Sequence, residues 1–203
     1  MFRKLSVLVS YLLHPLLVPV YVFILLLGSD RMYTLSLSGQ LKLLLLGTVI
    51  VTTLIFPLLL IFLLLRLRLI SSVYLPGKDE RNFPLGILAV FYYITYYLLR
   101  NFTLPAFFHI FLLGATLTAI GCLIINLFFR ISLHTAAWGA VSGICLGILF
   151  FSGKPGLMPL ISAIILSGIA GTARMKLNAH LPMEIYSGWL VGVVTMCLCC
   201  FLV

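Results

Sequence analysis

Long apolar runs, interrupted by prolines, charges and short polar clusters, set the pattern of this chain. A helix needs about 20 residues to cross the hydrocarbon core of a bilayer. Cut on that length, the runs give seven segments, at roughly 5–28, 41–65, 84–99, 104–129, 135–152, 156–173 and 183–203, the third and sixth being short. Pro15, Pro19 and Pro57 fall inside segments. Each removes a helical N–H and crowds the preceding turn, so kinks are expected there. The first run continues to about Leu27 with no small-x-small cleavage site. That is too long for the core of a signal peptide, and the run reads as a retained span. No linker or polar domain separates the segments. The pattern predicts an all-α polytopic integral membrane bundle of about seven spans, a single domain over residues 1–203.

Composition removes the alternatives. Hydrophobic residues make up 63% of the chain and charged residues 8%, against about 25% charged in a soluble domain. Asp30, Asp79, Glu80 and Glu184 are the whole acidic complement, too few to cover a soluble surface, and disorder is excluded with it. The net charge of +9 would suggest nucleic acid in a soluble protein. Here the basic residues are scattered through short loops, so no nucleic-acid partner is expected. They serve either as anchors to the anionic headgroups of the bilayer or as ligands for an anionic substrate. Cys122, Cys145, Cys197, Cys199 and Cys200 lie in apolar runs without zinc-ligand or redox spacing, and read as small apolar filler.

Counting crossings assigns the loops to faces. If the N-terminus marks face X, loops 66–83, 130–134 and 174–182 share that face. They hold Arg66, Arg68, Lys78, Arg81, Arg130, Arg174 and Lys176, both His134 and His180, and most of the acids. Face Y holds Arg31, Lys42, Arg100 and Lys154, well separated. The positive-inside rule would make face X cytoplasmic. Setting aside Lys78, Arg81 and Arg174 as ligands leaves six basic residues on face X, counting Arg3 and Lys4 at the N-terminus, against four on face Y. The sequence therefore leaves the sidedness open.

Three short stretches carry chemistry. In ARMKLNAHLPMEIYSGW, Arg174 precedes His180 by six residues and His180 precedes Glu184 by four. Pro182 suits the first turn of a helix, which places Glu184 where its carboxylate reaches back toward His180 as in a capping box. A carboxylate on one ring nitrogen fixes the tautomer and leaves the other as nucleophile or base. The helix N-terminus favours an anion, and Arg174 adds a fork suited to phosphate. In FFRISLHTAAWG, Ser132 is a natural N-cap with His134 in the first turn of the fifth span. In LPGKDERNFPLG, Lys78 and Arg81 stand just before the third span. Two histidines beside several cations suit phosphoryl transfer.

Together these residues resemble the type 2 phosphatidic acid phosphatase superfamily, membrane lipid phosphatases related to vanadium haloperoxidases. Its motifs are K-x6-R-P, P-S-G-H and S-R-x5-H-x3-D. Arg174, His180 and Glu184 match the third in spacing, with Ala173 for Ser and Glu for Asp. Ser132 and His134 match the second, with Ile131 for Pro and Leu133 for Gly. Lys78, Arg81 and Pro84 read K-x2-R-x2-P in place of the first, and Arg66, Arg68 and Arg130 are further candidates for its lysine role. The resemblance covers roughly residues 78–192.

The resemblance implies a six-helix lipid-phosphatase-like core and a mechanism without metal or cofactor. His180 would attack phosphorus to form a phosphohistidine, oriented by Glu184. His134 would protonate the leaving oxygen and then activate water. Arg174, Lys78 and Arg81 would hold the phosphate oxygens with help from Ser132. The substrate expected is a phosphate or diphosphate ester on a membrane lipid: phosphatidate, phosphatidylglycerophosphate, polyprenyl diphosphate or a lipid A phosphate. A phosphotransferase using the same histidine, and a non-catalytic lipid or anion carrier, are the competing readings. High hydrophobicity and short loops suit a bacterial inner membrane.

Other features have simpler readings. His14, nine residues into the first span, enters from face X, where it either makes a buried structural hydrogen bond or lines a lipid groove below the site. His109 enters from face Y and reads as structural. Gly139-x3-Gly143 and Gly188-x3-Gly192 fit close helix packing. The run FYYITYY at 91–97 reads as an interfacial aromatic belt.

Overall fold

The computed structural model describes residues 2–28, 37–72, 79–152 and 157–202. All the regular structure among them is helical: α1 (Phe2–Leu12), α2 (Val18–Gly28), α3 (Gly39–Val49), α4 (Phe56–Arg66), α5 (Asn82–Leu99), α6 (Ala106–Phe128), α7 (Leu133–Ser152), α8 (Leu157–Lys176) and α9 (Pro182–Leu202). Helices α1 and α2 share one span, as do α3 and α4. The described residues therefore give seven helical stretches long and apolar enough to cross a membrane. Side chains such as Leu25, Leu43, Leu59, Leu190 and Leu202 point outward, a surface that only hydrocarbon would solvate. The chain is an all-α polytopic integral membrane protein.

The three intraspan prolines have three different outcomes. Pro15 breaks its span: α1 ends at Leu12, a 3₁₀ turn covers Pro15–Leu17, and α2 follows. Pro19 falls in the first turn of α2, where its missing N–H has no helical partner to lose, so the expected kink is absent. Before Pro57 the chain widens to a π-helical stretch, Ile50–Ile55, which absorbs the proline without ending the span. Helix α8 also runs past the expected boundary, so Arg174 stands in its last turn rather than in a loop.

Helices α7 and α9 form the centre. Lipid gives no hydrophobic drive for helices to associate, so close approach must come from small residues. At Gly188, a Cβ would lie 2.5 Å from the carbonyl oxygen of Ser132. At Gly192, it would collide with the Ala136 carbonyl and lie 2.6 Å from the amide nitrogen of Ala140. Gly139 and Gly143 receive α9 in the same way, against Trp189 and Val193. Around this pair, Phe23, Leu45, Phe108, Phe111, Trp138 and Met196 form the main core.

Gly192→Leu is therefore expected to lower the melting temperature of the detergent-solubilised protein sharply, since overpacking of this kind costs about 1–3 kcal/mol or more. Gly168→Leu, where a Cβ meets nothing within 4 Å, is the control and should melt near the parent temperature.

The aromatic run on α5 divides by helical period. Tyr92 and Thr95 are buried, the Thr95 hydroxyl donating to Thr52 at 2.7 Å. Tyr93 and Tyr97 are exposed, with the Arg100 guanidinium 4.0 Å above the Tyr97 ring. Only the second pair behaves as a belt.

Candidate functional site

The loop between α8 and α9 is built from helix-capping chemistry at both ends. Helix α8 stops in a Schellman motif. The amide of Ala179 donates to the Arg174 carbonyl at 3.0 Å, and that of Asn178 donates to Met175 at 2.9 Å. Asn178 takes the left-handed conformation, φ 52°, which asparagine tolerates better than most residues. Two residues later α9 opens with Pro182. The Glu184 carboxylate accepts from the Leu181 amide at 3.3 Å, the return arm of a capping box. The same oxygen, Oε2, lies 2.6 Å from Nδ1 of His180.

A carboxylate can only accept here, so Nδ1 carries the proton and Nε2 of His180 keeps its lone pair. The His180 side chain is 3% exposed. Burial, reinforced by the nearby Arg81 and Arg174 charges, holds its pKa below the ordinary histidine value, although the Glu184 hydrogen bond works in the opposite direction. His180 is thus an oriented, neutral imidazole at neutral pH.

The turn before α7 docks directly onto this capping structure. Ser132 donates its amide to the Glu184 carbonyl at 3.0 Å, and the Thr135 hydroxyl donates to the Ile185 carbonyl at 2.9 Å. Gly188 makes this backbone-to-backbone approach possible. Ser132 does occupy the N-cap position, its carbonyl accepting from Ala136 at 3.0 Å. The expected side-chain cap is not made: its hydroxyl is buried with no hydrogen-bond partner. His134, in the first turn of α7, is buried, with Nε2 3.1 Å from the carbonyl oxygen of Ser10 on α1. Since a carbonyl only accepts, that nitrogen carries a proton and Nδ1 remains for exchange.

Arginines surround the pair. Arg81, at the start of α5, is buried and donates to the Ile131 carbonyl at 3.3 Å. Its pKa is pushed down to about 10, first by burial and then by the neighbouring Arg130, with Arg174 adding to this and Glu184 opposing it. It remains a cation at neutral pH. Arg130 donates to the Ala179 carbonyl at 3.2 Å, which ties the two loops together. The Nε atoms of Arg130 and Arg174 are buried and lack hydrogen-bond partners. Buried N–H groups are nearly always satisfied, so these two donors and the Ser132 hydroxyl suit a polar, acceptor-rich ligand.

The structure thus brings together His180, Glu184, His134, Ser132, Arg174 and Arg81, drawn from three separate stretches of sequence. Lys78 lies outside the described residues. Of the alternative cations, Arg130 joins the site. Arg66 and Arg68 are exposed at the end of α4, with Arg66 over the Phe62 ring at 5.4 Å. Glu80, which the sequence sets between cations, accepts from the amide and hydroxyl of Ser71 at 3.1 and 2.9 Å. His14 packs against the ring of His134, with centroids 5.3 Å apart. An apolar cavity of about 50 Å³ does lie beneath, lined by Pro15, Val18, Leu88, Phe111, Ala136 and Ala140 among others. His14 itself is not in its lining; its Nδ1 accepts from the Leu16 amide at 3.3 Å, a structural hydrogen bond. His109 is far off, half-buried against Tyr96 with centroids 6.5 Å apart. The Ser10 carbonyl is the component that sequence reasoning missed; its signal was Pro15, which breaks the helix and leaves carbonyls free. The sequence matches no family model. No curated protein and no solved structure matches it.

Proposed function

We propose that this membrane protein is a lipid phosphatase working through a phosphohistidine on His180. The observation that carries the reading is the buried His180–Glu184 pair, 2.6 Å apart, with Arg81 and Arg174 acting electrostatically on the same imidazole. An oriented neutral imidazole is a nucleophile, and guanidinium groups beside it match the equatorial oxygens of a phosphoryl group. With Arg81, Arg130 and Arg174 converging, the local field attracts a dianionic phosphate and repels a divalent cation. Catalysis therefore rests on these side chains alone.

The steps follow. Nε2 of His180 attacks phosphorus, and the bond from phosphorus to the ester oxygen breaks. The leaving oxygen takes a proton from Nδ1 of His134, which receives that proton from the monoanionic form of the bound phosphate. Glu184 stabilises the charge that develops on His180. Neutral His134 then removes a proton from water, whose oxygen attacks phosphorus. The phosphorus–nitrogen bond breaks, releasing inorganic phosphate and returning both histidines to their starting states. The Ser132 hydroxyl and the arginine N–H groups hold the phosphoryl oxygens throughout. A lipid ester is the expected substrate because the site lies at the ends of membrane spans.

The test is phosphate release by purified protein in detergent, offered phosphatidate, phosphatidylglycerophosphate, a polyprenyl diphosphate and a lipid A phosphate, with EDTA present. Release that requires His180 supports the reading. Turnover seen only with an added alcohol acceptor would move it to phosphotransfer. Binding without turnover, retained in His180→Ala, would move it to a carrier. The pH profile is a further check. Protonating His180 removes the nucleophile, so activity falls on the acid side. Because its pKa is lowered, the acid limb of kcat/KM assigned to His180 should lie below pH 6.5, the ordinary histidine value. An acid limb above that value would show the imidazole to be stabilised as a cation instead.

A further inference from the structure

The broken first span does more than wall the site. Ending α1 at Leu12 frees backbone carbonyls inside the membrane, where each must find a donor. Ser10 receives Nε2–H of His134 at 3.1 Å, Leu12 receives the Tyr21 hydroxyl at 2.9 Å, and Leu13 receives the Trp138 indole N–H at 3.2 Å. His134 and Trp138 are one turn apart on α7. The broken segment is thus fastened to the turn that carries the proposed proton donor.

His14 sits in the middle of this segment and does two separable things. Its Nδ1 accepts from the Leu16 amide at 3.3 Å and caps the 3₁₀ turn. Its ring stands edge-on to His134, with centroids 5.3 Å apart and planes at 81°. The Ser10 hydrogen bond fixes one point of the His134 imidazole but leaves the ring free to swing about that bond. The His14 ring blocks the swing. We infer that His14 is a positioning residue for proton transfer, its ring holding His134 so that Nδ1 addresses the leaving oxygen. This rests on the reading of His134 as the proton donor.

Two substitutions separate the ring from the cap. His14→Asn keeps a short side-chain acceptor for the Leu16 amide and loses the ring. His14→Phe keeps the ring and loses the acceptor. Two substrates separate proton transfer from phosphorus attack. Nitrophenolate leaves p-nitrophenyl phosphate without needing a proton, whereas the alcohol of dioctanoyl phosphatidate does need one.

In His14→Asn, phosphatidate turnover should fall roughly 10²-fold further than the nitrophenolate burst, and His14→Phe should recover most of it. His14→Leu, lacking both functions, provides a second comparison with Phe should the Asn variant fail to elute as a folded monodisperse species. The loss in His14→Asn should also be largely absent when His134 is already alanine, since the effect acts through that ring. A reversed order, with Asn active and Phe impaired, would reduce His14 to a cap and overturn the inference. Equal loss on both substrates in both variants would make His14 a substrate contact and overturn it too. Wild-type protein that forms no acid-labile phosphoprotein from either substrate would instead overturn the underlying phosphohistidine reading, whatever His14 does.

Discussion

His180→Ala is expected to abolish phosphate release from lipid, a loss of at least roughly 10³-fold in kcat, while leaving the melting temperature close to that of the parent. The side chain supplies the atom that bonds to phosphorus, and no other group in the site takes its place. The Nε2 of His134 is committed to the Ser10 carbonyl and its Nδ1 to the proposed proton transfer, and the arginines are cations without a lone pair. His134→Ala should cost about 10²–10⁴-fold, the range for general acid–base catalysis. His109→Ala is the control: it lies on α6 against Tyr96, with nothing to contribute to phosphorus chemistry. A graded series on the same lipid, with EDTA present, checks all three. Equal losses would point to damaged folding, and the site assignment would fail.

Arg174→Ala should lower kcat/KM by roughly 10²–10³-fold, the magnitude seen when one transition-state donor is removed. Arg174→Lys should recover only part of it. The reason is geometric. Arg174 stands in the last turn of α8 with Nε buried and unpartnered. Lysine keeps the charge but offers no Nε–H and no planar fork. The lysine variant separates charge from shape: full recovery would mean that Arg174 acts only as a charge. The measurement is kcat/KM for the best lipid, with inhibition by inorganic phosphate as a check on ground-state binding.

The spans were legible because composition and run length determine them; no tertiary knowledge was needed to find seven. The α8–α9 loop was legible because capping is local chemistry: Pro182 and Glu184 announce a helix start, and an i,i+4 spacing brings Glu184 to His180. Contacts between distant stretches were not. Nothing local to Ser10 or Leu13 says that their carbonyls meet His134 and Trp138, because those partners depend on where the broken span lies. The prolines make the same point. Pro15, Pro19 and Pro57 are chemically identical, yet one breaks a helix, one starts a helix and one follows a widened turn. Ser132 was read correctly as a cap position and wrongly as a side-chain cap, since its carbonyl makes only the ordinary first helical bond and its hydroxyl is left unpartnered.

Bilayers differ in thickness and change it with acyl length and temperature, and embedded helices respond by tilting. Most helix pairs meet through flexible side chains and can slide under such stress. Helices α7 and α9 meet through backbone at Gly139, Gly188 and Gly192, a contact with no compliant layer in it. Tilt in this protein therefore falls on the peripheral spans, such as α3 with α4, whose outward faces are largely exposed. The separation between His134 and His180 is in this way insulated from the mechanical state of the membrane around it.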